Sequence, residues 1–172
     1  IQIALDHKAI PIAVTRGRGK AQALLDHGAE HVIVSGEEDV PARIREITGG
    51  AGAQIAFDAV AGPGLAGLLT ALAPRGTVIV YGMLGGYELE VMLPLLMGGN
   101  LALHGFAANR LIEDLADRAK VIAYIEQGLA SGALKPVIDC TFDLTDIAEA
   151  HRYLESNQQF GKIIVTTASA GE

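Results

Sequence analysis

A single cysteine, Cys140, is the whole of the thiol chemistry in this sequence, which excludes an internal disulfide framework and any cysteine-cluster metal site within it. Such sparing use of cysteine fits a reducing compartment, and a cytoplasmic location is expected. Basic side chains are also few: 13 Lys and Arg against 20 Asp and Glu give a net charge of −7 and a pI near 5.2. That balance does not suit a surface built to neutralise a phosphate backbone, so no nucleic-acid partner is expected. Long apolar runs are missing as well, and stretches such as residues 91–97 fall far short of the roughly 20 residues a membrane helix needs. The five histidines, His7, His27, His31, His104 and His151, read as surface or packing residues, so neither a membrane partner nor zinc is expected within this chain.

What is present points to a folded α/β protein. The 172 residues are 50% hydrophobic and 19% charged, with a mean hydropathy of +0.33, too apolar for disorder and long enough for one domain or a domain with an appendage. Ile1, Ala4 and Leu5 read as one face of a helix already under way, so the chain reads as part of a longer protein. Residues 10–15 form a short apolar run in which Pro11 is tolerable only near a strand start, and Gly17 and Gly19 follow as turn residues. A helix over 20–26 ends at Gly28, a strand is expected over 31–34, and Pro41 opens a helix that runs to Ile47. The series continues with a strand over 55–60, a helix over 63–72, stopped by residues 74–76, and strands over 77–81 and 101–106, with a short helix over 94–97 between the two. Strands alternating with helices in this way predict a doubly wound parallel sheet with right-handed crossovers. Beyond Phe106 the texture changes to a helix over 111–129, a strand over 137–141, a helix over 145–156 and a last strand over 162–167, with residues 168–172 expected to fray. The expected division is residues 1–106 and 107–172.

In open α/β sheets ligands lie beyond the carboxyl ends of the strands, so the residues just after each strand are the candidates for function. They include no triad and no metal cluster, and the small residues among them let a flat ring or sugar approach the backbone, which suits a cofactor bed better than nucleophilic catalysis. Arg16, Arg18 and Lys20 fall within five residues of one another after the first strand. No acid stands at that tip to take a ribose hydroxyl, whereas guanidinium matches phosphate oxygens bidentately. The cluster reads either as a solvated loop or as a phosphate site, and the missing acid favours phosphate. Asp58 reads as the cap of its own turn, and Cys140 as a buried, inert thiol.

The segments at 9–16, 23–29, 31–33, 43–50, 57–60, 72–76, 80–82, 131–139, 150–157 and 161–165, together with Lys20, in that order and spacing, resemble the medium-chain dehydrogenase/reductase superfamily. The likeness is greatest to its quinone oxidoreductase-like branch, often labelled zinc-type alcohol dehydrogenase. The resemblance implies a Rossmann-like nucleotide domain without its first strand and phosphate loop, followed by a segment that returns to a substrate domain lying upstream. Zinc ligands, if any, would lie upstream too. It implies NADP(H) as cofactor, with Arg16 and Lys20 at the 2′-phosphate and Ala59, Val60, Tyr81, Gly82 and Phe106 on the nicotinamide side. Ser35 stands where many relatives carry a tyrosine, and Asn157 where some carry an arginine. The implied activity is hydride transfer to a quinone, enone or similar small carbonyl substrate, by a homodimer paired along residues 101–106. Two rival readings are a non-catalytic NADPH-binding or dimerisation module and another doubly wound enzyme such as a methyltransferase.

Overall fold

The computed structural model describes residues 1–167; the expected fraying of residues 168–172 falls outside them. Contacts divide the chain into two compact units, one reaching to Tyr124 and the other beginning at Ile125. The first opens with α1 (Gln2–Asp6), β1 (Ile12–Thr15), a 3₁₀ turn (Arg18–Lys20), α2 (Ala21–Asp26), β2 (His31–Val34) and α3 (Val40–Ile47). It goes on through β3 (Ala53–Asp58), α4 (Pro63–Thr70), β4 (Leu72–Val80), α5 (Leu93–Gly99), β5 (Ala102–Gly105) and α6 (Ala108–Glu113).

Every strand pair in this unit is parallel. β1 lies beside β2 with Ile12 opposite His31 and Thr15 opposite Val34, and β4 lies between β3 and β5. These are two sheets, β2-β1 and β3-β4-β5, with no strand joining β1 to β3 among the described residues. A doubly wound sheet ordered 3-2-1-4-5-6 leaves this same pair of pieces when its first strand is not included. One packed cluster serves both pieces: Ile33, Ile44 and Ala71 are buried against Ile12 of β1 and Ala53 of β3. A second cluster, Leu65, Leu69, Leu72 and Val78, seats α4 on the three-stranded sheet, each side chain contributing about 1.5–3 kcal/mol by leaving water. The strands beside the break expose apolar side chains instead: Val14 is 50% exposed, Ile55 58% and Phe57 69%.

Local chemistry explains the helix ends. Asp39 caps α3 by accepting from the Ala42 amide at 2.9 Å, with Pro41 in the first turn, where an N–H would have no partner. Gly28, at φ +90°, follows α2 in a conformation that side chains resist. β4 is longer than expected, because Leu72 already pairs with Ala53 and the strand then bulges. From Ala53 to Ile55 on β3, the partner on β4 moves from Leu72 to Thr77, and Arg75 takes φ +65° in the excursion. The Pro74–Arg75–Gly76 run that reads as a stop signal is thus a bulge within one strand.

The single helix expected over 111–129 is two. Asp114 adopts extended backbone (ψ 119°) and its carboxylate accepts from the amides of Ala116 and Asp117 at 2.8 and 3.0 Å, ending α6 and starting α7 (Leu115–Ser131). Periodicity misses the break because the apolar spacing carries through the aspartate. The second unit pairs β6 (Ile138–Asp143) in parallel with β7 (Lys162–Thr166) around α8 (Ile147–Glu155). There Tyr153 donates to Asp139 at 2.7 Å and its ring lies against Phe142. Cys140 is half-buried rather than fully so, and burial, then the Asp139 carboxylate, pushes its thiol pKa up. His104, read as a packed or interface residue in an apolar strand, is exposed with the rest of β5, so the packed reading fails.

Candidate functional site

Parallel strands bring their carboxyl ends to one side of each sheet, and two groups of residues gather there. At the β1–β2 tip the Ser35 amide donates to the Thr15 carbonyl at 2.8 Å and the Gly36 amide to the Arg16 carbonyl at 3.1 Å. A Cβ on Gly36 would lie 2.6 Å from that Arg16 oxygen, so only glycine allows the two turns to close so tightly. Ser35 turns its hydroxyl to the Thr15 carbonyl at 3.3 Å. Gly17 and the 3₁₀ turn then present Arg16, Arg18 and Lys20 around the start of α2.

The three cations are not equivalent. Arg18 is held by Glu37 from the β2 tip, through Nε to Oε1 at 3.4 Å and a second bond from Nη2 to Oε2. That carboxylate raises the guanidinium pKa further, first through the hydrogen bond and then through its charge. Arg16 is exposed and Lys20 half-exposed, and neither forms an ion pair among the described residues. Glu38 faces another way. It accepts from the Val34 amide at 2.7 Å and from Arg43 Nε at 2.8 Å, and its pKa falls below the usual carboxylate range, mainly through the backbone bond. The sequence reading missed Glu37 by looking for an acid on the strand that carries the cations; the signal was the acidic run 37–39 on the neighbouring tip.

At the other tip the contacts are made by backbone. The Tyr81 amide donates to the Asp58 carbonyl at 2.9 Å, Leu84 to Ala59 at 3.3 Å, Gly85 to Val60 at 2.7 Å and Phe106 to Val80 at 2.8 Å. The Asp58 carboxylate accepts from the amides of Val60 and Ala61 at 2.8 and 3.1 Å, the capping role its position suggests. A Cβ on Gly82 would fall 2.5 Å from the Ala59 oxygen. Ala59, Val60, Tyr81, Gly82 and Phe106 therefore sit around one rim, with Val60, Tyr81 and Phe106 exposed. Arg16 and Lys20 form the other group, and no hydrogen bond or ion pair links the two groups among the described residues.

The cavity of about 360 Å³ between α4, α5 and the start of β4 is elsewhere: Leu72, Leu101, Gly50 and Thr70 line it at the amino ends of the strands. Arg45 closes part of it by donating to the carbonyls of Thr70 and Gly50, which gives that arginine a helix-capping task. Among the described residues no group of three or more His, Cys, Asp or Glu could hold a metal ion. His27 and His31, four residues apart, follow a helix and open a strand, so they do not share a helical face. The described residues do not fit zinc.

Residues 27–165 match the family model for zinc-binding dehydrogenases. The chain belongs to that family. Within it, and within the medium-chain dehydrogenase/reductase superfamily, its relatives are of the quinone oxidoreductase-like kind. A 2-haloacrylate reductase from Burkholderia sp is 29% identical over 153 residues, 85% of this chain and 44% of its own length. The quinone oxidoreductase of Salmonella typhimurium is 30% identical over 154 residues, again 85% of this chain and 46% of its own. A solved NAD-dependent alcohol dehydrogenase superposes with a TM-score of 0.84 at 27% identity, covering 97% of this chain and 46% of that one. The chain thus spans a little under half the length of the curated relatives it matches, and the Rossmann-like α/β class follows from the shared fold. No helix among the described residues is long and apolar enough to cross a membrane.

Proposed function

We propose that this chain is the dinucleotide-binding part of an NADPH-dependent oxidoreductase that moves a hydride to a quinone, enone or similar small carbonyl compound. The observation that carries this reading is the pair of cations, Arg16 and Lys20, without carboxylate partners among the described residues, at a strand tip of a chain whose net charge is −7. Such cations beside a strand tip suit the 2′-phosphate that separates NADPH from NADH. The bound dinucleotide would supply the hydride itself. The chain's own contribution is placement: Gly82 and Ala59 keep the rim between β3 and β4 low enough for a flat ring to approach backbone, with Val60, Tyr81 and Phe106 around it. No residue of this chain is assigned a proton transfer. A group that polarises the acceptor belongs to the rest of the protein, as it does in the resemblance.

The two relatives bearing reductase names support the reaction class, while the solved neighbour named as NAD-dependent makes cofactor choice the point to test. Changing Arg16 and Lys20 to alanine in the complete protein should weaken NADPH binding by roughly 1.5–3 kcal/mol per side chain and leave NADH nearly unaffected. Equal losses for the two dinucleotides would refute the assignment. NADPH oxidation by a quinone separates the enzyme from a module that only binds or dimerises.

The open edges extend the reading. β1 and β3 are each paired on one side, expose apolar side chains and share a core cluster, and we propose that a parallel strand preceding Ile1 lies between them. β5 also has one free edge with all four residues exposed, which supports pairing of two copies there. Amide hydrogen exchange on the complete protein tests the three edges at once: slow exchange along β1, β3 and β5 is expected, and fast exchange at any of them removes that part.

A further inference from the structure

The Arg18–Glu37 pair carries a further inference, which rests on the proposed 2′-phosphate site. We infer that Glu37 is a specificity-determining residue, an internal anion that occupies Arg18 and so moderates the preference of this site for NADPH over NADH.

The position of Glu37 is fixed independently of Arg18. Its amide donates to the Val34 carbonyl at 2.9 Å, and the turn that carries it is fastened to the β1 tip through Ser35–Thr15 and Gly36–Arg16. Glu37 therefore does not swing in from a long loop; the β2 turn delivers it beside the cation cluster. Its neighbours are otherwise engaged: Glu38 is held by the Val34 amide and Arg43, and Asp39 caps α3. Of the three consecutive acids, Glu37 is the one that hydrogen-bonds a cation of the cluster, engaging both Nε and Nη2 of Arg18, while Glu38 adds a smaller effect through its charge.

A guanidinium whose Nε–Nη2 edge is engaged by two carboxylate oxygens has given up one of the two edges with which it could grip a phosphate. For Arg18 to bind a 2′-phosphate through that edge the contact with Glu37 must loosen, and through the other edge the carboxylate still stands nearby and repels the incoming dianion. A dinucleotide with a free 2′-hydroxyl meets neither cost, because a carboxylate is an acceptor for that hydroxyl. Arg16 and Lys20, which form no ion pair among the described residues, give the site its phosphate preference, and Glu37 sets how strong that preference is. Both Arg18 and Glu37 are exposed, with 77% and 44% of their side-chain surface open to solvent, and exposed pairs contribute little to folding. Removing the carboxylate should therefore change recognition without unfolding the turn.

The test is Glu37→Gln in the complete protein, with dissociation constants for NADPH and NADH measured by fluorescence titration at one ionic strength. NADPH affinity is expected to rise by about five- to tenfold while NADH affinity is unchanged or falls, so the NADPH/NADH preference increases. A preference that stays the same or decreases overturns the inference. Arg18→Ala gives the second arm: it should weaken NADPH binding more in the Glu37→Gln background than in the wild type, and equal losses in the two backgrounds count against the pairing. Failure of the underlying site would look different. In that case Arg16→Ala with Lys20→Ala would leave the preference unaltered in either background.

Discussion

The two strand tips are built from different materials. At β1–β2 the proposed binding surface consists of side chains, three cations and one carboxylate, standing on a backbone clasp. At β3–β5 it consists mainly of the backbone itself, with Gly82 against Ala59 and amide-to-carbonyl bonds running from strand to strand. A surface of side chains can be retuned by one substitution, because charges change while the chain path stays. A surface of backbone has no such freedom: its shape is the chain path, and an added atom moves it.

The sharpest way to break this contrast is to add one methyl group at each tip. In Gly82→Ala the new carbon meets the Ala59 oxygen at 2.5 Å, and in Gly36→Ala it meets the Arg16 oxygen at 2.6 Å. Neither neighbour is a flexible side-chain end, so each substitution should cost about 1–3 kcal/mol, seen as a fall in Tm of roughly 2–4 °C per kcal/mol for a chain of this size. The ligand effects should differ. Gly82→Ala should weaken NADPH and NADH alike, whereas Gly36→Ala, by displacing Arg16, should weaken NADPH more. Identical effects on the two dinucleotides would erase the distinction between the tips.

A smaller effect sharpens it. Glu38 has its pKa lowered in the folded chain by the Val34 amide and Arg43, so its contribution is present above the pKa of an unfolded glutamate, near 4.3, and is lost as pH falls through the lower folded value. The β2 tip should therefore loosen in acid, below the ordinary glutamate range, and Glu38→Gln should remove that part of the acid dependence. Chemical denaturation between pH 3 and pH 6 checks this, and an unchanged profile in the variant would show that the tip is held without the carboxylate.

Much of the fold was legible because its signals are local. Pro41 and Asp39 at a helix start, Gly28 at a helix end and β-branched runs at 12–15 and 31–34 each act within a few residues. The failures have two causes: a local signal outweighed by a neighbour distant in sequence, and a capping side chain that interrupts an unbroken apolar pattern. Pro74–Arg75–Gly76 has the composition of a turn, yet pairing with β3 on both sides of it makes it a bulge. Asp114 interrupts a helix whose apolar spacing never falters. The candidate site divides in the same way. That Arg16, Arg18 and Lys20 cluster is visible in the sequence, but the partner of Arg18 lies 19 residues on, beside it only because β1 and β2 run parallel.

The unpaired borders of β1 and β3 have a consequence of their own. Each offers a row of amides and carbonyls next to greasy side chains, and such a row does not distinguish its intended companion from a strand of any other molecule. On the proposed reading a further strand covers both borders; with those borders left open, residues 1–167 are adhesive, and a preparation of this chain is at risk of clumping through them.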